Sequence, residues 1–396
     1  MNPSGVTASP QSWPNDVKDI LATLVAFDTT SHKTNLPMTY WVRDFLAAHG
    51  VEATILPADD GIHANLFATI GERRDGGVAL SGHMDVVPVT GQNWSTDPFT
   101  LTQKGTRLYG RGSADMKGFL AAVLASVPRF VKLNLQRPIH IAFSYDEEVG
   151  CTGVVSMVNE LGKSLPKPDL VIVGEPTLHT VVDGHKGGVR FRTEVTGKSA
   201  HSSLPDLGVP SIFIAADLIG ELRRLEREVQ RDNPAPRFVP PYPTITVSSI
   251  EGGIAHNVIP PRCVFDWGIR LTPSFDPMLV PRALEAYAER ELLPAMRRVN
   301  PDSSIRTEML GLLPAFDGGE GSFATSLALK LASQNEVTTV AYGTEASHFQ
   351  AAGCPSVVCG PGSIEQAHQP DEFIEIAELD HAMTFLARVG EWATNG

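Results

Sequence analysis

The sequence predicts an α/β protein with a mixed, mostly parallel sheet sandwiched by helices, interrupted by a smaller inserted α+β domain. Apolar runs of strand length alternate with helical periodicity before residue 183, and this alternation returns after residue 311. Such alternation favours a parallel sheet covered on both faces. Residues 183–311 carry amphipathic strands and two long helices instead, which predicts an insert with its own core. The predicted domains are therefore 1–182 with 312–396, and 183–311.

Helical periodicity opens the chain. Apolar residues of 17–25 fall at i, i+3, i+4, i+7 and i+8, and a similar stripe over 38–46 ends before Gly50, where a helix-terminating glycine belongs. Further helices are predicted over about 117–133, 209–229, 280–298, 320–333 and 377–394. Predicted strands are 51–56, 65–70, 78–82, 138–145, 169–174, 189–196, 244–250, 263–271, 304–310, 337–342 and 355–359.

Charge and composition exclude several classes of protein. The 396 residues carry a formal charge of −13 without a basic run, which argues against nucleic-acid binding and binding to anionic membranes. No apolar stretch approaches the roughly 18 residues of a membrane span. The first residues lack the charge and apolar core of a signal peptide, and the four cysteines form no C-x-x-C pair. We therefore expect a cytoplasmic enzyme with reduced thiols.

The first candidate for chemistry is Ser81-Gly-His-Met-Asp85, directly after a predicted strand. Ligands bind at the carboxyl ends of strands in open α/β sheets. The H-x-D spacing lets the Asp85 carboxylate reach the far ring nitrogen of His83, as acids behind metal-binding histidines do. A polar turn explains the same residues equally well.

The second candidate is Gly110-Arg-Gly-Ser-Ala-Asp-Met-Lys-Gly118, which leads into an apolar helix. Asp115 stands just ahead of that helix, where aspartate commonly serves as N-cap. The functional alternative is a carboxylate that bridges two metal ions.

The third candidate is Asp146-Glu-Glu148, at the end of an apolar strand that we expect to be central. Adjacent acids are costly to bury without partners, so a solvated turn is the plain alternative. In a site, one carboxylate would bind a metal while the other, Glu147, stays free as general base.

Glu175 follows another apolar strand, and His368 lies in a polar loop near the C-terminus. With the earlier candidates they form a set that we expect at strand-to-helix corners on one rim: His83, Asp115, Glu148, Glu175 and His368. The set contains two histidines and three carboxylates. If one carboxylate is shared between two metal ions, each ion has one histidine, one carboxylate of its own and the shared carboxylate as ligands. This donor set suits Zn(II), Co(II) or Mn(II) better than Mg(II) alone.

Competing motifs are incomplete. Gly197-Lys-Ser199 resembles the end of a phosphate-binding loop, but residue 192 is arginine where that loop requires glycine. The chain has no G-x-S-x-G and no H-E-x-x-H. A nucleotide-binding protein and a serine hydrolase are therefore disfavoured.

These blocks, in this order and with Ala200-His-Ser-Ser203, resemble the signature of the M20 family of dimetallopeptidases and amidohydrolases. Residues 342–346 and 360–372 are most similar to its acetylornithine deacetylase branch, whereas the desuccinylases carry a Gly-rich segment in place of 344–346. The resemblance implies a zinc-exopeptidase-like fold, a dimerisation or lid role for the insert, and a small N-acyl amino acid as substrate.

The resemblance also implies roles for individual residues. His83 and Glu175 would bind one metal, Zn(II) or Co(II), Glu148 and His368 the other, and Asp115 would bridge them. Asp85 would orient His83, and Glu147 would be the general base.

In the insert, His201 resembles a histidine that reaches across a homodimer to stabilise an oxyanion, although a surface histidine is the plain alternative. Asn257 and Arg270 match positions that hold the substrate and its carboxylate. Glu345 is expected either to pair with a second substrate amine or to cap a loop. The resemblance implies that the chain hydrolyses the N-acyl amino acid of the branch named above. One alternative is a deacylase for a different N-acyl amino acid on the same scaffold. The other is a relative that has lost catalytic activity.

Overall fold

The computed structural model describes residues 13–14, 16–319 and 321–395. The N-terminal residues on which the expected lack of a signal peptide rests therefore lie largely outside the described part. The described chain divides into two compact units. The first runs to Asp183 and adds Gly318–Thr338 and the residues from Thr344 onward, and the second comprises Gly184–Asp317 with Thr339–Gly343.

The described residues form ten α-helices and eighteen strands. The α-helices are α1 (Val17–Val25), α2 (Leu36–Ala48), α3 (Lys117–Phe130), α4 (Val154–Val158), α5 (Ser211–Asp232), α6 (Leu279–Tyr287), α7 (Leu293–Val299), α8 (Phe323–Ala332), α9 (Ala346–Ala351) and α10 (Ile376–Thr394). The strands are β1 (Ala53–Pro57), β2 (Ala64–Ile70), β3 (Val78–His83), β4 (Thr102–Lys104), β5 (Arg107–Tyr109), β6 (Ile139–Ser144), β7 (Leu170–Pro176), β8 (Val182–His185), β9 (Gly187–Thr196), β10 (Ala200–His201), β11 (Thr244–Gly252), β12 (Val258–Ile259), β13 (Arg262–Leu271), β14 (Ser304–Leu313), β15 (Phe316–Asp317), β16 (Thr338–Val340), β17 (Ser356–Gly360) and β18 (Phe373–Glu375).

The main sheet of the first unit places neighbouring strands in the order β1, β2, β6, β3, β7 and β17. Strand β3 runs parallel to both β6 and β7, and β7 runs parallel to β17. Strands β1 and β2 add an antiparallel edge. The predicted mixed, mostly parallel sheet is thus confirmed.

Burial explains why this sheet forms. Every residue of β3, β6, β7 and β17 is buried, as expected when both faces of a parallel sheet are covered. Helix α3 packs against α1 and α10, while α9 contacts α4, β7 and β17. The sequence periodicity predicted α1, α3 and α10, whereas the short helices α4 and α9 were not predicted.

The second unit has a separate hydrophobic core. Its antiparallel sheet follows the order β11, β13, β9 and β14, with α5 packed against the first three of these strands. Along β9, buried Val189 and Phe191 alternate with exposed Arg190 and Arg192, so one face of the sheet is apolar and the other charged.

The single helix predicted over 280–298 is wrong. A π-helical turn at Ala288–Leu292 separates α6 from α7, and Pro294 lies in the first turn of α7. Because proline lacks an N–H and its ring clashes with the carbonyl four residues back, a continuous α-helix is unfavourable there. In the described residues no helix is long and apolar enough to cross a membrane.

Candidate metal centre

Three candidate side chains lie at the carboxyl ends of adjacent parallel strands. His83 is the last residue of β3, Glu175 lies near the end of β7, and Glu148 follows β6 in a turn. Because β3 pairs with both β6 and β7, these ends meet at one edge of the sheet. Close packing of α3 requires Gly174, since a Cβ there would lie 2.1 Å from the ring of Phe119.

Asp115 reaches this edge from a different direction. It lies in the connection from β5 to α3, a strand-to-helix corner that is outside the main sheet. The N-cap of α3 is Met116, and no side chain caps this helix. The N-cap interpretation of Asp115 is therefore wrong, because its carboxylate turns to the two histidines instead.

His368 lies in a turn between β17 and β18, with a left-handed φ of 63°. Its side chain is half exposed, whereas the other four candidates are buried or nearly so. Like Asp115, it does not stand at a strand-to-helix corner of the main sheet. The structure nevertheless brings it to the same edge as His83.

The first group comprises His83, Asp115 and Glu175, whose potential ligand atoms all lie within 4.8 Å of one another. His83 Nε2 lies 3.1 Å from Asp115 Oδ1 and 4.0 Å from Glu175 Oε2. His83 Nδ1 lies 2.9 Å from the backbone oxygen of Asp85, which can only accept, so Nδ1 carries a proton. In the neutral ring the lone pair is therefore on Nε2, which faces the two carboxylates.

The second group comprises Asp115, Glu148 and His368, again within 4.8 Å. His368 Nε2 lies 2.9 Å from Glu148 Oε2 and 3.3 Å from Asp115 Oδ2. Asp115 thus presents one carboxyl oxygen to each histidine, which is the geometry of a carboxylate shared between two sites.

Unpaired buried oxygens indicate that cations fit here. Glu148 Oε1 and Glu175 Oε1 are buried and have no hydrogen-bond partner in the described residues. Burial and the neighbouring carboxylates raise the pKa of Glu148 to about 7 and that of Glu175 well above its usual range. A divalent cation would stabilise both carboxylates and use the unpaired oxygens, so the donor set fits a metal ion in each group.

Asp85 works differently from the prediction. Its carboxylate is 3.6 Å from His83 Nδ1, and its backbone carbonyl accepts the hydrogen bond from the ring instead. The carboxylate accepts the hydroxyl of Ser31 at 2.7 Å and the backbone N–H groups of Glu147 and Glu148 at 3.1 and 3.3 Å. Asp85 therefore holds the His83 ring through its main chain and the acidic turn through its side chain.

Glu147 does not join either metal-ligand group. Burial raises its pKa to about 8, and the thiol of Cys151 lies 3.1 Å from its Oε1. This thiol can donate to one carboxyl oxygen and leave Oε2 for another proton. The contact was not predicted from the sequence, and the position of Cys151 four residues after Glu147 was the available signal.

A buried ion pair that was not predicted from the sequence holds the Asp115 turn. Glu372, which is 1% exposed, accepts Arg111 Nη1 at 2.7 Å. It also accepts the backbone N–H groups of Gly112, Ala114 and Asp115 at 2.9, 2.9 and 3.0 Å. The available signals were an arginine four residues before Asp115 and an acid four residues after His368.

One glutamine connects this ion pair to the His368 turn. Gln92 donates from Nε2 to the backbone oxygen of His368 at 2.8 Å and accepts Arg111 Nη2 at 2.6 Å. Arg111 and Glu372 therefore support both the Asp115 turn and, through Gln92, the His368 turn.

The candidate residues of the insert lie in the second unit. Exposed His201 ends β10, which pairs with β12, and Ser202 N donates to Asn257 O at 2.9 Å. The backbone N–H of Ser203 donates to His201 Nδ1 at 3.2 Å, so a neutral His201 ring carries its proton on Nε2. Arg270 is exposed on β13.

Glu345 immediately precedes α9 and is 1% exposed. Burial raises the pKa of its carboxyl to about 7, although the hydroxyls of Ser144 and Ser81 beside it act in the opposite direction. The carboxyl is buried in this conformation, and its expected pairing with a substrate amine stays a prediction. Its side chain makes no cap hydrogen bond to α9.

An α/β fold with two carboxylate–histidine groups that share one aspartate is typical of metal-dependent hydrolases. The chain belongs to Peptidase family M20/M25/M40, which it matches over residues 79–391. Acetylornithine deacetylase of Buchnera aphidicola subsp. Acyrthosiphon pisum (strain Tuc7) is 36% identical over 311 residues, 78% of this chain and 79% of that protein. Acetylornithine deacetylase of Pasteurella multocida (strain Pm70) is 33% identical over 374 residues, 94% and 95% of the two chains.

Solved structures share the fold. An M20 family metallo-carboxypeptidase from Sulfolobus solfataricus superposes with a TM-score of 0.75 at 18% identity, over 96% of this chain and 99% of that one. A tripeptidase from Staphylococcus aureus superposes with a TM-score of 0.72 at 19% identity, over 96% and 98%. The predicted fold class and the M20 resemblance are both confirmed.

Proposed function

We propose that this hydrolase uses two divalent metal ions to convert N2-acetyl-L-ornithine to L-ornithine and acetate. The main support for the proposal is the position of the Asp115 carboxylate, which presents one oxygen to each of two histidine–carboxylate groups. Relatives that are acetylornithine deacetylases and match up to 94% of the chain support the choice of substrate.

His83, Glu175 and one oxygen of Asp115 would hold one ion, and Glu148, His368 and the other oxygen of Asp115 the second. Imidazole nitrogen and carboxylate oxygen donors favour Zn(II) or Co(II). When bound, such ions polarise a carbonyl oxygen and lower the pKa of water from 15.7 towards 7.

Glu147 would take a proton from the attacking water at Oε2 and deliver it to the departing amine. Two contacts support this role, since Asp85 fixes the backbone of Glu147 and Cys151 lies beside Oε1. In addition, the carboxyl belongs to neither metal-ligand group. General acid–base catalysis of this kind contributes roughly 10²–10⁴-fold to a rate.

His201 would donate Nε2–H to the oxyanion. We propose that the second unit is a dimerisation or lid domain and that His201 serves the site of the partner subunit. Mixing a His201→Ala chain with a Glu147→Gln chain tests this, because mixed dimers regain activity only if His201 acts across the dimer. Inactive mixed dimers would contradict it.

The experiment for the whole proposal measures hydrolysis by the Zn(II)- and Co(II)-loaded chain. The substrates are N2-acetyl-L-ornithine, acetylmethionine, acetylcitrulline and succinyl-diaminopimelate, and we expect the highest kcat/KM for the first. Glu147→Gln should retain both metals and lose at least about 10²-fold in kcat. Glu72→Gln, an exposed control of the same chemistry, should retain activity.

Preference for another of the four substrates would overturn the choice of acetylornithine. Near-normal kcat in Glu147→Gln would remove its assignment as the general base. A chain that binds metal and hydrolyses none of the four would contradict the proposed reaction.

A further inference from the structure

Glu147 lies in a tight turn between β6 and α4, and hydrogen bonds fix the main chain of this turn. The backbone N–H of Glu147 donates to the Asp85 carboxylate at 3.1 Å, and its backbone oxygen accepts the N–H of Cys151 at 2.9 Å. At the end of the turn, a Cβ on Gly153 would lie 2.0 Å from the backbone oxygen of Tyr145. The two ends of the turn are therefore packed against each other.

A single hydrogen bond holds the carboxyl group of Glu147 within the part of the chain that the structure describes. Cys151 Sγ lies 3.1 Å from Oε1, and no other described group donates a hydrogen bond to this carboxyl. The neighbouring carboxylates of Glu148 and Asp115 repel it. Since a glutamate side chain has three rotatable bonds, a fixed main chain does not by itself fix the position of the carboxyl. The thiol of Cys151 supplies the missing contact.

The Cys151 thiol can act only as the donor of this hydrogen bond to a carboxylate. The side chain is 1% exposed, and burial raises the pKa of the thiol well above its usual range. The thiol therefore keeps its proton at neutral pH, and an ionised carboxyl oxygen accepts it. Hydrogen bonds to ionised acceptors are roughly twice as strong as those between neutral groups.

The backbone conformation of Cys151 is unfavourable for a residue with a side chain. Its φ is 56°, in the left-handed region that favours glycine. A glycine would adopt this conformation without the steric cost of a Cβ. Non-glycine residues in such conformations are found preferentially at functional sites. A cysteine at this position therefore indicates a role of its side chain that glycine could not fill.

We propose that Cys151 is a positioning residue, whose thiol holds the Glu147 carboxyl through Oε1 and so leaves Oε2 available for proton transfer. In this role the thiol keeps its own proton and does not touch the substrate. The inference rests on the proposed hydrolysis, in which Glu147 is the general base, and adds to it a residue that acts through Glu147.

The test compares replacements of Cys151 in the metal-loaded full chain with N2-acetyl-L-ornithine as substrate. Cys151→Ala removes the donor. We expect kcat to fall about tenfold, which corresponds to one hydrogen bond to an ionised group, at nearly constant KM. Cys151→Ser keeps a donor and should restore kcat to within about threefold of the unmodified chain. Cys354→Ala is the matched control, because it removes a buried thiol whose charged neighbour is Lys167, and it should retain kcat.

Cys151→Gly separates positioning from a contribution to folding. It removes the donor as alanine does, but it also relieves the strain of the left-handed conformation. We therefore expect Cys151→Gly to melt at a higher temperature than Cys151→Ala and to show the same loss of kcat. If Cys151 only stabilised the fold, kcat would instead follow the melting temperature across the variants.

A second measurement is independent of turnover. The infrared S–H stretching band of Cys151 is isolated as the difference between metal-loaded chains with cysteine and with alanine at this position. We expect its frequency to lie below that of the Cys354 thiol, which is isolated in the same way. In the Glu147→Gln background the Cys151 band should move to higher frequency, because a neutral amide is a weaker acceptor than a carboxylate.

The outcomes separate this inference from the proposed function. An unchanged kcat in Cys151→Ala, a kcat that follows the melting temperature, or an S–H band that Glu147→Gln does not move would overturn the positioning role. A chain that hydrolyses none of the proposed substrates but shows the expected S–H bands would refute the proposed reaction and retain the contact between Cys151 and Glu147.

Discussion

Glu372→Gln tests whether the buried Arg111–Glu372 pair organises the candidate metal centre. The exchange keeps the shape of the side chain but replaces one accepting oxygen with an N–H₂ group. Glu372 accepts four hydrogen bonds, from Arg111 and the backbone N–H groups of three residues of the Asp115 turn. The N–H₂ group of the glutamine would face N–H donors where an accepting oxygen is needed. The Arg111 guanidinium would also lose the negative charge that it pairs with.

The expected magnitude follows from burial. Both side chains of the pair are 1% exposed, and removing one partner of a buried ion pair costs about 3–5 kcal/mol of unfolding free energy. Residues that hold metal ligands in place typically change metal affinity by about 10–100-fold when mutated. We expect Glu372→Gln to lower stability by about 3 kcal/mol or more and Co(II) affinity by at least about tenfold.

The assay is denaturant unfolding of the metal-free chain together with Co(II) titration. Glu375→Gln is the control. Glu375 lies three residues after Glu372, and its carboxylate pairs with the exposed Arg107 side chain at 2.7 Å. Exposed pairs contribute little to stability, so the control should behave like the unmodified chain. Equal stability and equal Co(II) affinity in the two variants would refute the organising role of Glu372.

Two further predictions concern the fold around the site. Burial lowers the pKa of His140 to about 4, so the unfolded chain binds a proton at this residue at higher pH than the folded chain does. The free energy of unfolding should therefore fall by on the order of 3 kcal/mol as the pH drops from 6.5 to 4. His140→Asn should flatten this pH dependence in urea unfolding, and an unchanged slope would contradict the assignment. Gly174→Ala should cost about 1–3 kcal/mol because its Cβ overlaps the Phe119 ring, whereas Gly220→Ala, in an open helical position, should stabilise by up to about 1 kcal/mol. The melting temperatures of the two glycine variants check this pair of predictions. Equal changes in melting temperature for Gly174→Ala and Gly220→Ala would contradict them.

Hydrophobic periodicity predicted the main elements because burial determines them. The apolar stripe over residues 17–25 and the apolar run at 139–144 match α1 and β6. The polar residues that follow buried strands were also informative, since parallel strands bring their carboxyl ends together. His83, Glu148 and Glu175 meet for this reason.

The contacts of Glu372 could not be predicted in the same way. They depend on pairing between β18 and β5, strands of three residues whose sequence separation exceeds 260 residues. Such short strands leave no periodicity to detect. The Asp85 contacts were missed for a related reason, because the H-x-D spacing does not determine whether the main chain or the carboxylate faces the histidine. Pro294, by contrast, was a visible signal for the interruption between α6 and α7.

Anomalous diffraction from Co(II)-loaded crystals tests the central claim most directly. We expect two cobalt peaks, each about 2.0–2.2 Å from a different oxygen of Asp115, one beside His83 and Glu175 and the other beside Glu148 and His368. A single peak in this region, or peaks distant from Asp115, would contradict a two-metal centre.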